Sequence, residues 1–503
     1  MKKKLNPLFL NTIKTLNNNY YLIDPINRTF FPLPILFNYL MNQKGINTFD
    51  NSFGILTNNL REKGYLISKQ RIKLLKRQLE FFKFNFLGKD IKNKVEYTRL
   101  LNDLLIEDNL KNTKQVIFEV TDKCNLDCTY CCYGPIYTNY DKREGNIIDF
   151  SIIKTTIDYY IKVWKERACI PNEHINISFY GGEPLLAIKT IKKTVKYLEE
   201  IDLPTDFFIF SLTTNGLLLK KCAAFLVEKK FQILVSLDGD AECNEYRKNH
   251  VGVNSFPTIR KNLEFIETNF PEYFKNCIRF SSILHNKNSL KKIDDFFRSE
   301  NLTAPSIGEL STSNVKNHIS FSELYRSFNC EVDSISKLKD FYSSSLASAD
   351  SLSFFRKYCT KYYENFYALL NSNQTKIIVP TSTCLPLSLR IYISINGKIF
   401  SCEKIGHKYS VGFVNSETGI SLELSKAIED FNKLVSTYKL QCEKCYIRFD
   451  CKICAFKEGD LSSGQQCKEF KSDKEFIALI SLFLSIIEEY TGLYHKAISV
   501  SIG

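Results

Sequence analysis

"EVTDKCNLDCTYCCYG", residues 119–134, holds four cysteines in nine positions. Cys124, Cys128 and Cys131 follow C-x3-C-x2-C spacing, and Cys132 adjoins the third. Such a group could staple a fold, bind zinc or hold a reactive centre. Nothing at the start of the chain reads as a secretory signal: "MKKKLNPLFLNTIKTLNNNYY" is basic but lacks a continuous apolar run and a small-residue cleavage site. The expected location is therefore cytoplasmic, where thiols stay reduced and clustered cysteines are metal or cluster ligands rather than disulfides. The longest apolar stretch, "FIALISLFLSII" (476–487), runs into Glu488 and Glu489 and is too short for a bilayer, so no membrane partner is expected.

Working outward, "QVIFEVT" (115–121) before the loop is an apolar, β-branched run of strand length. Similar runs recur as "INISFYGG" (175–182), "FFIFSLTTNG" (207–216), "FQILVSLDG" (231–239) and "CIRFSSILH" (277–285). Helical periodicity fills the intervals, as in "AIKTIKKTVKYLEEI" and "FPTIRKNLEFIETNF". Repeated β-α units predict an α/β fold with a parallel sheet or (β/α) barrel, functional residues lying at the strand C-termini. The cysteine loop follows the first strand, on that face.

The 503 residues suffice for two or three domains, and 44% apolar with 24% charged residues is a globular composition. Of the net charge of +13, residues 1–95 carry +12, with 17 Lys or Arg against 5 Asp or Glu. This suits either an anionic partner or a solvated, Lys- and Asn-rich surface. In that segment "NNNYYLIDPINRTFFPLP" (17–34) reads as a hairpin, and "ILFNYLMNQ" and "FGILTNNLREKGYLI" as helices, together a winged-helix-like module. "KQRIKLLKRQLEFFKF" (69–84) reads as a basic amphipathic helix. Residues 300–375 read as mostly helical, and 380–470 as short strands, turns and cysteines.

Three cysteinates suit a [4Fe–4S] cluster that keeps one iron free of protein ligands, since such clusters are normally held by four thiolates. With its companions the loop resembles the radical S-adenosylmethionine (SAM) superfamily over about 115–290. Tyr130 falls where the family sets an aromatic residue against the adenine. "GGEP" (Gly181, Gly182, Glu183, Pro184) matches the motif for the methionine amino group. "TTNG", with Thr214 and Asn215, and "SLDG" end strands that line the family's SAM pocket. The resemblance places Ser236 and Asp238 at the ribose and Arg247 at the carboxylate. It implies a partial (β/α)6 TIM-like barrel in which a reduced cluster cleaves SAM and the resulting radical abstracts hydrogen from a substrate. An electron donor such as flavodoxin or ferredoxin is implied as a partner. A zinc site predicts none of these companions, and Cys132 has no ligand role in the family pattern.

A second cysteine field stands downstream: Cys384-x12-Gly397-x4-Cys402, then Cys442-x2-Cys445-x5-Cys451-x2-Cys454, and Cys467 after twelve more residues. Within it "IYISINGKIFSC" alternates as strand–turn–strand with Asn-Gly at the tip. Two C-x2-C pairs alone would also allow zinc knuckles. The whole pattern resembles the SPASM auxiliary-cluster domain, departing from it by one residue between Cys451 and Cys454. The resemblance implies two auxiliary [4Fe–4S] clusters, one on Cys384, Cys402 and Cys454, the other on Cys442, Cys445, Cys451 and Cys467. The first lacks a fourth ligand; Cys359 or a substrate thiolate would complete it. Glu403 sits where sulfatase maturases of the family carry an acidic residue proposed as a base, and reads equally as a surface carboxylate. Cys169, Cys222, Cys243, Cys277 and Cys330 stand singly and read as small buried apolar residues. His174, His250 and His285 read as strand-end or core residues.

The N-terminal hairpin and helices resemble the element by which maturases of ribosomally made peptides add a leader peptide as an extra strand. The basic charge would also fit nucleic acid, but an auxiliary-cluster domain of this type goes mainly with peptide substrates. The expected divisions are a leader-binding domain (1–95), a radical SAM core (112–300), a helical linker (301–380), a SPASM domain (381–475) and a C-terminal helix (476–503). The expected function is a radical SAM oxidoreductase that installs a thioether or C–C crosslink in a precursor peptide. The alternatives are a sulfatase-maturase-like enzyme forming formylglycine and a nonenzymatic peptide scaffold.

Overall fold

The computed structural model describes parts of residues 11–33, residues 100–326 apart from 139, 167–173, 205 and 313, and residues 383–485 apart from 446–450 and shorter gaps. The helices read between 35 and 84, and Cys169, Cys330 and Cys359, lie outside the described residues. So does most of the segment read as a linker.

At the centre, β4 (Gln115–Thr121) is buried from its second residue onward, as expected of a parallel strand covered on both faces. It begins a run of six parallel strands in sequence order: β5 (Ile175–Gly181), β6 (Phe208–Thr214), β7 (Gln232–Ser236), β8 (Ile278–Leu284) and β9 (Ser306–Glu309). The four expected intervening helices are α2 (Phe150–Glu166), α3 (Ile188–Glu199), α4 (Leu219–Glu228) and α5 (Phe256–Asn269), after α1 (Asp103–Lys111). α6 (Pro271–Cys277) and α7 (Leu290–Ser299) complete the β-α alternation, and α8 (His318–Leu324) follows β9. On α3 the buried Ile191, Thr194, Val195 and Leu198 recur at helical spacing and turn one apolar face to the sheet.

The C-terminal third extends this same sheet. β10 (Arg390–Ile393) pairs in parallel with β4, Arg390 opposite Gln115 and Ile393 opposite Phe118. β11 (Lys398–Phe400), β12 (Gly412–Asn415) and β13 (Gly419–Leu422) then add antiparallel strands, giving ten in all. The strand–turn–strand read in "IYISINGKIFSC" is β10–β11, and Gly397 turns its tip with φ +80°. A side chain there would meet the Val414 carbonyl oxygen at 2.6 Å.

A long helix, α9 (Leu424–Lys444), lies where short strands and turns were expected. Its buried residues Ala427, Phe431, Leu434, Val435, Tyr438 and Cys442 form one face, so Cys442 belongs to a helix rather than a turn. Asn432 of α9 exchanges two hydrogen bonds with the Leu101 backbone, at 2.8 and 2.9 Å, and fastens the helix beside α1. α10 (Ala455–Glu458) follows Cys454.

The expected N-terminal hairpin is β2 (Tyr20–Asp24) with β3 (Thr29–Leu33), and β1 (Asn11–Lys14) adds a third antiparallel strand. Ser481 donates to the Lys14 carbonyl at 2.6 Å, and Asn17 to that of Ser485 at 3.1 Å. Lys14 and Asn17 are thus tied to Ser481 and Ser485. Among the described residues no helix is long and apolar enough to cross a membrane.

Candidate active site

The cysteine loop leaves the C-terminal end of β4 and is held on both sides. Its far end returns along the strand: the Ile148 amide donates to the Val120 carbonyl at 3.0 Å, and Thr121 Oγ1 to that of Asn146 at 2.6 Å. From β5, the Gly182 and Glu183 amides donate to the Thr121 and Lys123 carbonyls, both at 2.8 Å. Close approach there requires glycine, because a Cβ on Gly181 would lie 2.1 Å from the Thr121 oxygen and one on Gly182 2.2 Å from the Lys123 oxygen. Opposite, the Asp127 and Thr129 amides donate to the Lys248 and Tyr246 carbonyls at 2.7 and 3.1 Å. The His250 ring stands 2.9 Å from the Cys124 carbonyl oxygen, so this histidine belongs to the wall of the loop.

Within that frame the three thiols act on one another. Burial pushes Cys128 up to about 12, Arg247 opposes the shift, and Cys131 and Cys124 add to it. Burial likewise raises Cys124, whose sulfur accepts from the Leu126 amide at 3.4 Å and faces Asn215 Nδ2 at 3.9 Å. Cys131 is drawn below its ordinary value by a hydrogen bond from Cys132, with the Tyr133 amide, Arg143 and Arg247 assisting. A thiol group ringed by N–H donors and two guanidiniums fits an anionic, thiolate-held cluster. Among the described residues no three His, Cys, Asp or Glu side chains gather as ligands of a single metal ion.

Beside the loop, Glu183 is fully buried and links three strand ends. Its Oε1 accepts from the Leu185 amide at 3.0 Å and Thr214 Oγ1 at 2.7 Å, and its Oε2 from the Asn215 amide at 2.8 Å. Burial pushes its pKa up to about 7 although all three bonds oppose that shift. Pro184 opens the short 3-10 turn that Glu183 caps. The Asn215 side chain donates to Asn125 Oδ1 at 2.7 Å, joining "TTNG" to the cysteine loop.

Asp238, expected at the ribose, is saturated by protein donors. Arg247 reaches it with Nε at 2.9 Å and Nη2 at 3.1 Å, the Ile283 amide donates at 2.9 Å, and the Tyr130 hydroxyl donates in a short bond. His285 Nε2 stands 3.6 Å away. The carboxyl is held down to about 2, Arg247 and these bonds outweighing burial. Arg247, expected at the carboxylate of the ligand, is thus engaged with Asp238, and its guanidinium lies 5.3 Å from the centre of the Tyr130 ring. Ser236 ends β7 and is partly exposed. His285 is fully buried, its ring 5.6 Å from that of Tyr130 and 5.0 Å from that of Tyr246. This network was not read from the sequence, because its members converge only when β7 and β8 pair.

In the second field, Cys384 acts on Cys454 and Cys445 on Cys467, raising the partner in each case beyond the larger effect of burial. Cys384 is exposed, Cys442 and Cys445 are buried, and Cys451 is partly buried. Backbone amides approach these sulfurs too: Lys471 to Cys445 at 3.5 Å and Lys404 to Cys402 at 3.4 Å. The Cys402 sulfur faces Glu403 Oε2 at 3.3 Å, and Arg390 Nη1 stands 3.6 Å from that same oxygen. Only 9% of the Glu403 side chain is exposed, which makes it a sheltered group rather than the surface carboxylate it equally resembled.

Residues 118–296 match the radical SAM superfamily, and the chain carries a radical SAM domain. It is 25% identical over 417 residues to the radical SAM cyclopropyl synthase TigE of Paramaledivibacter caminithermalis, covering 78% of each chain. It is 23% identical over 377 residues to a cysteine-type anaerobic sulfatase-maturating enzyme of Clostridium perfringens, covering 70% of this chain and 93% of that one. A solved structure of native anSMEcpe with AdoMet bound superposes with a TM-score of 0.53 at 18% identity, over 76% of this chain and 98% of that one, and so shares the fold.

Proposed function

We propose that the protein is a radical SAM maturase that oxidises a ribosomally made precursor peptide, forming a thioether or C–C crosslink. The carrying observation is the convergence at the ends of β4–β7 of three mutually interacting thiols, the Gly181–Pro184 clamp and Asn215, with a sheltered acid on the adjoining β10–β11 hairpin. Cys124, Cys128 and Cys131 would hold a [4Fe–4S] cluster. Bound there with SAM, it supplies one-electron reduction and radical hydrogen abstraction. The strand ends would orient SAM: Gly181 and Gly182 let the cysteine loop pack onto the end of β5, and Tyr130, fixed by Asp238, would wall the adenine side.

The substrate would lose one hydrogen atom to the SAM-derived radical, then a proton and an electron. Glu403, sheltered beside Cys402, would take the proton, and the cysteines of the second field would hold the auxiliary clusters that take the electron. A small electron-transfer protein such as flavodoxin or ferredoxin would deliver the priming electron, in a reducing cytoplasm. The antiparallel sheet β1–β3 is the element to which an extended leader could add as a strand. That TigE forms a cyclopropyl group, as its name states, favours bond formation within the peptide. The similarity to sulfatase-maturating enzymes supports a second reading, formylglycine formation.

The test is an anaerobic incubation of reconstituted protein, dithionite and SAM with the precursor peptide encoded beside the gene, and in parallel with a cysteine-containing sulfatase peptide. Loss of two hydrogens per site from the precursor, abolished by deleting its leader, is expected. Exchange of cysteine sulfur for oxygen in the sulfatase peptide would establish the second reading instead. Cys124→Ala/Cys128→Ala/Cys131→Ala should abolish SAM cleavage, and continued peptide modification by that variant would overturn both.

A further inference from the structure

The cysteine loop does more than carry Cys124, Cys128 and Cys131. Its return segment, residues 133–146, is bolted to the β10–β11 hairpin that ends in Cys402 and Glu403. The inner bolt is buried. Arg143 donates through Nη1 to the Asp122 carbonyl at 2.8 Å and through Nη2 to Glu119 Oε1 at 3.0 Å, while its guanidinium covers the Tyr133 ring at 3.3 Å. The other oxygen of Glu119 accepts the Ile395 amide, from the hairpin turn, at 3.1 Å. One carboxylate therefore ties the end of β4, the return segment and the hairpin together.

The outer bolt is half-exposed. Lys398 of β11 reaches both Asp141 oxygens at 2.9 and 3.0 Å, and His407 Nδ1 accepts the Asp141 amide at 2.9 Å. Aromatic contacts run between the bolts. Tyr133 meets Tyr140 with ring centres 5.0 Å apart, Tyr140 meets His407 at 5.3 Å, and Phe400 stacks on His407 at 4.9 Å. Deep in the same wall, Tyr180 of β5 meets Tyr392 of β10 edge-on with ring centres 6.4 Å apart.

We propose that Glu119–Arg143 and Asp141–Lys398 are positioning pairs that fix Glu403 relative to the Cys124–Cys131 loop, so that a hydrogen atom leaves one substrate carbon and a proton leaves the atom that bonds to it within a single bound complex. None of the four residues need touch the substrate. This rests on the proposed peptide oxidation, in which Glu403 takes the proton. Displacement by about 1 Å can cost on the order of a hundredfold in rate, so loosening the hairpin should leave SAM cleavage running while product formation falls.

The experiment counts 5′-deoxyadenosine and modified precursor peptide in the same dithionite-driven reaction. It is paired with hydrogen exchange of residues 390–403, which requires neither peptide nor SAM. Lys398→Glu should raise the ratio of 5′-deoxyadenosine to modified peptide about threefold to tenfold and speed hairpin exchange. Asp141→Lys/Lys398→Glu should bring both back towards wild type, a rescue that general destabilisation would not produce. Glu119→Gln, which takes the charge from the carboxylate that also accepts the Ile395 amide, should raise the ratio as well. An unchanged ratio in Lys398→Glu and Glu119→Gln, with wild type modifying the peptide, overturns the positioning role. If wild type cleaves SAM but modifies no peptide, the proposed function falls. Faster hairpin exchange in Lys398→Glu, reversed in the double variant, would then still establish the bolt itself.

Discussion

Replacing Glu183 by glutamine should make the protein less stable at pH 5.5 yet nearly neutral at pH 7.5. Burial raises this carboxyl from 4.5 to about 7. Between those values the folded chain keeps a proton that the unfolded chain has released. Its contribution to stability is therefore complete below pH 4.5 and is lost as pH rises through 7. Full ionisation costs about 3 kcal/mol at about 1.36 kcal/mol per pH unit, and the part falling between pH 5.5 and 7.5 is about 2 kcal/mol. A glutamine side chain does not titrate, so in Glu183→Gln this slope disappears. The amide brings its own loss. Its oxygen can serve the Leu185 amide and Thr214, but its NH2 then faces the Asn215 N–H, and the orphaned donor costs about 1–3 kcal/mol. At pH 5.5 relief of the buried charge returns only about 1 kcal/mol of that loss; at pH 7.5 it returns about 3 kcal/mol and offsets it. Urea unfolding of reduced apoprotein, followed by hydrogen exchange of residues 175–220 in both proteins, measures the difference directly. Parallel pH profiles for wild type and variant would refute the reasoning.

Other consequences follow from the same contacts. Gly182→Ala should displace the cysteine loop, since its Cβ would lie 2.2 Å from one backbone oxygen and 2.9 Å from another; isothermal titration of SAM into reconstituted protein should show binding lost, and wild-type affinity would contradict the clamp. Asp238→Asn leaves the buried Arg247 facing a neutral amide and should cost about 3–5 kcal/mol in chemical denaturation. Tyr130→Phe removes a single bond to the same ionised carboxylate and should cost about 1.5–3 kcal/mol. An Asp238→Asn cost no larger than that of Tyr130→Phe would mean that Arg247 finds another anion.

What could be read in the sequence was whatever short spacing encodes. Four cysteines in nine positions, "GGEP" after a β-branched run and "TTNG" at the end of another are local patterns, and the structure sets them side by side because parallel β-α units bring strand C-termini to one edge. The expected strands agree with β4–β8 to within a few residues for the same reason, since buried parallel strands are continuous apolar runs. What could not be read depends on which distant strands become neighbours. Asp238 looked free for a ligand because Ile283, 45 residues away, supplies its donor only after β7 pairs with β8, and Tyr130, 108 residues away, only after the cysteine loop folds across the strand ends. Helix α9 had a legible amphipathic period, but Cys442 and Cys445 drew the reading towards knuckle-like turns.

The division between the barrel and the second cysteine field is the deeper case. Residues 381–475 looked like an appended unit because their cysteine spacing is self-contained. Yet β10 takes the place beside β4, on the side opposite β5. Without β10 the first strand of the barrel would be an open edge, and its unpaired N–H and C=O groups would need another partner. Once β10 fills that edge, the turn between β10 and β11 emerges next to the loop that leaves β4, and β11 carries the chain back along β10 to Cys402 and Glu403. The packing of the hairpin turn against the cysteine loop therefore follows from closing the sheet at β4. The side-chain bolts at Glu119 and Asp141 set its precision.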